Sequence, residues 1–359
     1  MPITVPARLA DVPSATEALL ADFLAERTTA AATISPRFAQ AVDAMSHYVL
    51  RGGKRIRPMF CWAGWQCGQL AEPDTAGAAL HVAASLELIQ ACALIHDDII
   101  DRSDTRRGHP TLHREQESSH RAHEWQGEPG HFGTSAAILL GDLALAWADD
   151  LFRDAGLPAD TAARISPTWS AMRTEVLGGQ YLDIVNEAAA DESADAADAV
   201  MRYKTAAYTV ERPLQLGAEM AGAPAEVVTA LRSFGTDLGI AFQLRDDLLG
   251  AFGDPTITGK PSGDDLIAGK RTAILAAAFE RLDDNRADQL RRLVGRPLDA
   301  AELAATRSLI AESDAVTIIE ARIDALLAAA RTTLDGISVP ESAKAQLSAL
   351  ATQVTDRRS

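Results

Sequence analysis

Cysteine is scarce in this chain, with three residues among 359, and aromatic side chains make up only 5% of it. Cys61, Cys67 and Cys92 lie inside apolar helical patterns without the paired spacing of a metal site, so we expect reduced core residues. Clusters of Val, Ile, Thr and aromatic residues are sparse while alanine is abundant, which favours helix over strand. The composition predicts an all-α globular protein.

The chain also lacks positive charge, with 34 Lys and Arg against 50 Asp and Glu and a formal net charge of −16. This charge repels phosphate backbones and anionic head groups at long range, so nucleic-acid binding and membrane-surface attachment are disfavoured. An anionic substrate would require a local patch of basic residues.

A secretory leader and a membrane span are not evident. The N-terminal residues contain no basic segment followed by an apolar run and a small-residue cleavage site. Long apolar stretches are interrupted by charges, as Asp142 interrupts residues 136–147, so none is expected to span a bilayer. Together with the reduced cysteines, these features predict a soluble cytoplasmic protein without an integral membrane segment.

Helical periodicity is the main pattern that is present, from about Ala15 to the C-terminus. Amphipathic stretches are predicted over residues 14–31, 36–50, 55–71, 75–101, 134–155, 160–190, 194–221, 225–252, 265–295 and 299–356. We expect a bundle of ten or more helices in one domain over 1–359, with a motif-bearing core at about 36–295 and C-terminal helices over 299–356.

Two segments depart from this periodicity. Residues 104–133 contain Gly, Pro, Ser and five of the eight histidines. A zinc site there is conceivable, but irregular spacing and the lack of Cys or paired carboxylates favour a solvated loop, whose role stays open. Residues 250–272 are too rich in Gly and Pro for continuous helix, and a loop of this length is often a functional lid.

An acidic cluster, Asp97, Asp98 and Asp101, follows the apolar run that ends at Ile95. At about 100° per residue, Asp97 and Asp101 share a helix face one turn apart, and Asp98 is turned away. Two carboxylates on one face repel each other unless a cation lies between them, and magnesium accepts such ligands beside water and substrate phosphates. The alternative is a solvated acidic helix end.

A second acidic pair repeats this layout, because Asp246 and Asp247 also follow an apolar helical run and precede two aliphatic residues. The loop after this pair carries further charges, namely Lys260, Asp264, Asp265, Lys270 and Arg271. Carboxylates that suit a metal ion and basic side chains that suit a phosphate therefore occur close together in the sequence, although a charged surface loop remains the alternative.

Basic residues also accompany the first acidic cluster. Arg106 and Arg107 follow it closely, and upstream the segment from Gly52 to Pro58 carries Lys54, Arg55 and Arg57 at a helix start made flexible by glycine. Helix N-termini, lysines and forked arginines are the usual ligands of diphosphate groups. In so acidic a chain, these clusters favour a diphosphate site over a solvated basic turn.

These segments resemble the trans-isoprenyl diphosphate synthase family, the polyprenyl synthetases, and most of all its bacterial geranylgeranyl diphosphate synthases. The matching pieces extend over residues 52–272 in family order: GGKRIRP, HDDIIDRSDTRRG, GQYLD, KTAAYT, FQLRDDLLGAFGD and GKPSGDDLIAGKRT. The resemblance implies the isoprenoid synthase fold, with helices around a central cavity, and a homodimer.

The resemblance also implies roles for individual residues. Asp97 and Asp101 match ligands of two magnesium ions and Asp246 the ligand of a third, and Asp98 and Asp247 are included among the candidate metal ligands. Further ligands of the allylic diphosphate are implied at Arg106, Lys204, Lys260 and Lys270. Lys54, Arg57, Arg107 and Gln90 match the pocket for isopentenyl diphosphate, and the oxygens of Thr205 and Gln243 match groups that face the developing cation. Gly250 departs from the family, which has an aspartate there.

The implied reaction is ionisation of an allylic diphosphate (dimethylallyl, geranyl or farnesyl), condensation with isopentenyl diphosphate, and elimination of a proton. Cys92 and Ala93 lie roughly 6 to 8 Å along the helix from the metal site and are expected to line the cavity for the growing tail. In the family, a bulky aromatic side chain here stops growth at farnesyl diphosphate. Because both side chains are small, geranylgeranyl diphosphate is the favoured product.

Other functions remain open. A longer polyprenyl product is the first alternative, and a farnesyl diphosphate synthase is another. A terpene cyclase would also ionise an allylic diphosphate, but it needs no second diphosphate pocket of the kind that Lys54, Arg57 and Arg107 suggest. A non-catalytic partner subunit of a heteromeric synthase would be expected to have lost acids from one motif, whereas both motifs here keep theirs.

Overall fold

The structure is a computed structural model that describes residues 5–71, 73–253 and 263–355. Over these residues the chain is all-α, as predicted, and contains more than ten helices. The described strands are two residues each, β1 (Thr105–Arg106) and β2 (His109–Pro110), and they pair antiparallel as a short hairpin.

The chain divides into two compact units, Met1–Pro167 with Leu216–Ala223, and Thr168–Gln215 with Pro224–Ser359. The first unit contains a short 3₁₀ turn (Leu9–Asp11), α1 (Val12–Ala32), α2 (Pro36–Leu50), α3 (Ile56–Trp65), α4 (Pro73–Ile100), α5 (Leu112–Ala122), α6 (Pro129–Arg153) and the start of α7 (Ala159–Ala189). It also contains the end of α9 (Arg212–Met220). The expectation of one domain over the whole chain stays a prediction.

The second unit contains the rest of α7 and α9 and a series of further helices. These are α8 (Ala194–Val200), a π-helix (Met201–Glu211), α10 (Ala225–Phe252), α11 (Asp264–Ala268), α12 (Ala273–Arg281), α13 (Asp284–Leu293), α14 (Ala300–Glu312), α15 (Ala315–Gly336) and α16 (Glu341–Thr355). Its core joins α10 to α12, α14 and α15 through buried aliphatic side chains, including Leu244, Ile274, Ile310 and Ile319.

Helix α4 forms the core of the first unit, where it packs against α1, α3 and α6. Contrary to expectation, its residues Asp74–Ile100 are long and apolar enough to cross a bilayer by length and composition alone, with a mean hydropathy of 1.7. However, 72% of its most apolar window is buried inside the protein. A helix that is apolar on all sides is typical of such a buried position, so core packing accounts for the hydropathy.

The prediction of a solvated loop over residues 104–133 is wrong. This segment contains the hairpin, α5 and the first turns of α6. Helix α5 buries Leu112, His113, Gln116 and His120, so its inward face is only weakly apolar and gave little periodic signal. Among the described residues, no group of three His, Cys, Asp or Glu side chains could hold a metal ion.

The accuracy of the predicted helix boundaries differs from one segment to another. The predictions for α2 and α10 match their observed bounds. The stretch over 299–356, predicted to hold the C-terminal helices, contains three of them, because Ser313 and Asp314, and later Pro340, interrupt it. Within the predicted loop over 250–272, α10 ends at Phe252 and α11 begins at Asp264, while residues 254–262 lie outside the described part of the chain. The three cysteines are free and buried, as predicted.

Candidate active site

The first acidic cluster lies at the C-terminal end of α4. The backbone N–H of Asp101 donates to the carbonyl of Asp97 over 2.8 Å, so the helical hydrogen-bond pattern continues one residue past the helix. Asp97 and Asp101 therefore occupy the same side, one turn apart, and both are half-buried. Partly exposed carboxylates in this arrangement can reach a shared cation.

Asp98 has a different environment, since its side chain is only 1% exposed. Its Oδ2 accepts a hydrogen bond from the Tyr48 hydroxyl at 2.9 Å, and its Oδ1 accepts one from Arg106 Nε at 2.6 Å. Burial raises the pKa of Asp98, while Arg106 and the Tyr48 hydroxyl act in the opposite direction. In the structure Asp98 is an internal anchor for Tyr48 and Arg106, and its place among the candidate metal ligands stays a prediction.

Arg106 is held by the hairpin that follows α4. Arg107 and Gly108 form the two-residue turn between the strands, both with positive φ (53° and 76°), the geometry that matches the twist of a tight hairpin. Arg106 Nη2 also donates to Asp97 Oδ2 at 3.3 Å. The guanidinium expected to bind a diphosphate thus lies beside the predicted magnesium ligand.

A cationic pocket lies next to this cluster in the first unit. It is lined by Tyr48, Val49, Arg51, Arg55, Glu87, Gln90, Ala91, Leu94, Arg106 and Arg107. Arg107 and Gln90 were predicted to contact isopentenyl diphosphate, and the structure brings them to this pocket. Lys54 is exposed and Arg57 half-buried at the start of α3, and neither belongs to the described lining.

Arg55 has a structural role that the sequence did not predict. It adopts a left-handed backbone conformation (φ 48°), and its guanidinium pairs with Glu87 at 2.7 Å and donates to the Val49 carbonyl at 2.9 Å. Arg55 and Glu87 are both nearly fully buried. This ion pair fixes the turn that carries Lys54 and leads into α3, where Arg57 lies, and the spacing between Arg55 and Glu87 gave no signal of it.

The glycines of the same turn explain how Arg107 reaches it. Gly52 and Gly53 have positive φ, and Arg107 Nη1 donates to the Gly52 carbonyl at 2.5 Å. A Cβ on Gly53 would lie 3.0 Å from that same nitrogen. The paired glycines thus allow the guanidinium to lie directly against the backbone.

The second acidic pair on α10 shows the same division between its two members. Asp246 is half-buried, whereas Asp247 is only 6% exposed and accepts a hydrogen bond from Gln243 Nε2 at 2.7 Å. Burial, assisted by Asp265 and Asp246, raises the pKa of Asp247 to about 7. Asp247 is therefore buried and hydrogen-bonded like Asp98, whereas Asp246 is the more exposed candidate metal ligand of this motif. Metal binding by Asp247 stays a prediction.

Gly250, the departure from the family pattern, lies against the side chain of Asp265. A Cβ at this position would lie 2.0 Å from Oδ2 of Asp265, so the carboxylate of Asp265 occupies that space. The two segments are also joined by a hydrogen bond from the Gly263 N–H to the Gly250 carbonyl at 3.1 Å. Asp265 thus places an acid beside α10 where the family has its aspartate.

Lys204 and Thr205 lie in the π-helix, a form that is rare and frequent at functional sites. Lys204 Nζ pairs with Asp183 of α7, the last residue of the GQYLD segment. Gly179, in the same segment, is essential for this arrangement, because a Cβ there would lie 2.2 Å from the Lys204 backbone nitrogen. The GQYLD motif by itself gives no sign that this segment supports Lys204.

Two predicted phosphate ligands remain. Lys270 follows α11, and its backbone N–H donates to the carbonyl of Asp265 at 3.0 Å, which places it near the second acidic pair. Lys260 lies outside the described residues, so its predicted part stays a prediction.

The two predicted chain-length residues have different surroundings. Cys92 is 3% exposed, and its sulfur lies 3.7 Å from Nδ1 of His96, whose ring fits against α6 because Gly141 has no side chain. Ala93 is half-buried and precedes Asp97 by one turn on the same helix face. Of the two, Ala93 is the better placed to face a tail attached to a diphosphate at Asp97.

Comparisons with known proteins agree with these features. The family model for polyprenyl synthetase matches residues 39–310. A crystal structure of geranylgeranyl pyrophosphate synthase from Corynebacterium glutamicum, complexed with isoprenyl diphosphate and magnesium, is 47% identical, with a TM-score of 0.94 over 98% of this chain and 100% of that one. Geranylfarnesyl diphosphate synthase from Aeropyrum pernix is 32% identical over 87% of this chain and 92% of its own length. Heptaprenyl diphosphate synthase component 2 from Geobacillus stearothermophilus is 33% identical over 84% and 85%.

Proposed function

This chain belongs to the polyprenyl synthetase family, and on that premise we propose that it condenses isopentenyl diphosphate with an allylic diphosphate to give mainly geranylgeranyl diphosphate. The observation that carries the proposal is the difference in environment between the two neighbouring aspartates of each acidic motif. In each, one aspartate is half-buried and the next is buried and hydrogen-bonded, Asp98 to Arg106 and Asp247 to Gln243.

The half-buried carboxylates fit magnesium. Asp97, Asp101 and Asp246 offer hard oxygen ligands on rigid helices, but too few of them to enclose an ion. Magnesium is usually bound by one or two carboxylates together with waters and substrate phosphates, so such sparse sites suit it. We propose three ions per active site, two held by Asp97 and Asp101 and one by Asp246. The magnesium in the Corynebacterium complex supports the identity of the metal, though not the number.

We assign the following roles to the protein's own residues. Arg106, Lys204, Lys270 and Lys260 bind the allylic diphosphate and neutralise charge as it leaves. When bound, magnesium neutralises the same diphosphate oxygens as a Lewis acid. Lys54, Arg57, Arg107 and Gln90 orient isopentenyl diphosphate, and the oxygens of Thr205 and Gln243 stabilise the developing cation. Asp98 and Asp247 hold neighbouring side chains in place.

Geranylgeranyl diphosphate is proposed as the product because the helix before Asp97 presents small side chains. Ala93, one turn before Asp97, leaves room for a tail that a phenylalanine would block. A longer product is the second candidate, and it is favoured by the similarity to a geranylfarnesyl and a heptaprenyl synthase. A non-catalytic subunit is disfavoured because both acidic motifs keep their half-buried aspartates.

The deciding experiment is product analysis with purified protein. The protein is incubated with magnesium, isopentenyl diphosphate and each of the dimethylallyl, geranyl and farnesyl diphosphates, and the dephosphorylated products are sized by chromatography. A dominant twenty-carbon alcohol is expected from every accepted primer. A dominant product of twenty-five carbons or more would favour the second candidate, and no condensation with any primer would refute the proposal.

We further propose that the protein is a homodimer. Helix α7 exposes an apolar stripe at helical spacing, made of Leu177, Tyr181, Ile184 and Val185, and Leu139 of α6 is 69% exposed. Apolar side chains repeated along one helix face indicate a protein interface more often than an isolated exposed leucine does. Sedimentation equilibrium at micromolar concentration is expected to give twice the mass of the chain, and a monomer would contradict the proposal.

A further inference from the structure

The environment of Tyr48 is not explained by any function described so far. Tyr48 lies on α2, and its hydroxyl donates to Asp98 Oδ2 at 2.9 Å. The opposite oxygen of that carboxylate accepts from Arg106 Nε at 2.6 Å, and Arg106 Nη2 reaches Asp97 at 3.3 Å. One chain of polar contacts therefore runs from Tyr48 through Asp98 and Arg106 to the candidate magnesium ligand Asp97.

The burial of Asp98 makes this chain important. A carboxylate that is 1% exposed requires a partner on each oxygen, since an unsatisfied buried charge is unfavourable. Arg106 satisfies one oxygen and Tyr48 the other. If the hydroxyl were absent, Asp98 would have to turn toward Arg106 for further hydrogen bonds. Arg106 would then change its orientation, and its Nη2 would lose the contact with Asp97.

Tyr48 also lies between two predicted substrate sites. It lines the cationic pocket together with Gln90 and Arg107, and through Asp98 it touches the arginine expected to bind the allylic diphosphate. Its helix leads directly into the Gly52 and Gly53 turn, which Arg107 contacts. A tyrosine in this position can affect the binding of either substrate. The geometry favours an effect on the allylic substrate, because the hydroxyl donates its hydrogen bond to Asp98.

We propose that Tyr48 is a positioning residue for the magnesium-bound allylic diphosphate, acting through Asp98 on Arg106. The inference rests on the proposed function and extends it to a residue outside the recognised motifs. This effect passes through the hydrogen bond from Tyr48 to Asp98 and does not require contact between Tyr48 and the metal or the allylic substrate. Its hydroxyl holds the carboxylate of Asp98 in place, and that carboxylate holds the guanidinium of Arg106.

The test compares Tyr48→Phe with Ser46→Ala. Ser46 is a matched control because it lies on the same helix, is buried, and donates its hydroxyl to the Val42 carbonyl at 2.8 Å within that helix. For Tyr48→Phe we expect KM for the allylic substrate to rise about tenfold and KM for isopentenyl diphosphate to change less than twofold, since a hydrogen bond to a charged group is lost. Ser46→Ala should leave both KM values unchanged.

Calorimetry provides a readout independent of turnover. Binding of inorganic diphosphate in the presence of magnesium should weaken about tenfold in Tyr48→Phe and stay unchanged in Ser46→Ala. If wild-type protein catalyses no condensation, the proposed function fails, and this measurement still decides whether Tyr48 supports a diphosphate site.

A double-mutant cycle tests the route of the effect. In an Asp98→Asn background, or in Arg106→Lys if the first variant does not fold, adding Tyr48→Phe should weaken diphosphate binding less than threefold further. The proposal is overturned if Tyr48→Phe weakens diphosphate binding by the same factor in these backgrounds as in the wild type. It is also overturned if Tyr48→Phe raises KM for isopentenyl diphosphate more than KM for the allylic substrate, or if Tyr48→Phe behaves like Ser46→Ala.

Discussion

The close approach of α7 to the π-helix gives the sharpest prediction, the effect of Gly179→Ala. The new Cβ would lie 2.2 Å from the backbone nitrogen of Lys204 and 2.7 Å from its Cα. Ordinary contacts of this kind are about 3.4 Å or more, so the two helices would have to separate by about 1 Å. Backbone atoms cannot move aside by changing rotamer, and the strain must therefore spread along both helices.

The magnitude follows from two opposing effects. Overpacking of this severity costs about 3 kcal/mol, and the better helix propensity of alanine returns about 1 kcal/mol, which leaves a net loss of about 2 kcal/mol. For a unit of this size the midpoint of thermal unfolding should fall by roughly 4 to 8 °C. Displacement of Lys204 should also lower kcat/KM by at least about tenfold, because misplacing a ligand by 1 Å is costly in catalysis.

The control is Gly77→Ala in α4, where a Cβ would meet no atom within 4 Å. That change should be neutral or stabilise the protein by up to about 1 kcal/mol, with kcat/KM unchanged. Calorimetric unfolding and steady-state kinetics with both substrates measure the two effects. If Gly179→Ala unfolds and reacts like Gly77→Ala, the contact between α7 and the π-helix is not as tight as the structure indicates.

Three further predictions concern the proposed site residues. Asp97→Ala and Asp101→Ala should each lower kcat by at least about a hundredfold with an unchanged circular dichroism spectrum, and chelation of magnesium should have the same effect; near-normal turnover in both variants would contradict the metal assignment. Arg57→Ala should raise KM for isopentenyl diphosphate more than KM for the allylic substrate, and the reverse ratio would mean that the two pockets are exchanged. Ala93→Phe should shorten the main product to farnesyl diphosphate with activity largely kept, whereas an unchanged product from an active variant would place the tail on another helix face.

The sequence motifs identified the family but not the division within each acidic motif. Helical spacing correctly turned Asp98 away from Asp97 and Asp101, yet only the contacts with Tyr48 and Arg106 showed that its carboxylate is an internal anchor. Asp246 and Asp247 are equivalent in the sequence, and burial together with the Gln243 hydrogen bond distinguishes them. Neighbouring residues on a helix differ in burial according to what packs against each face, which local spacing does not contain.

Local pattern alone determined the all-α class, the bounds of α2 and α10 and the order of the segments that match the family, because helix periodicity and short motifs are properties of residues close in the chain. Tertiary structure alone decided which groups separated by many residues meet: Arg55 with Glu87, Lys204 with Asp183, and the Asp265 carboxylate in the space left by Gly250. It also decided that residues 112–122 form a helix, since their weakly apolar face is stabilised by packing against α6 and not by periodicity. Such contacts depend on how the helices pack in three dimensions, and the identity of the residues next to each one in the chain does not specify them.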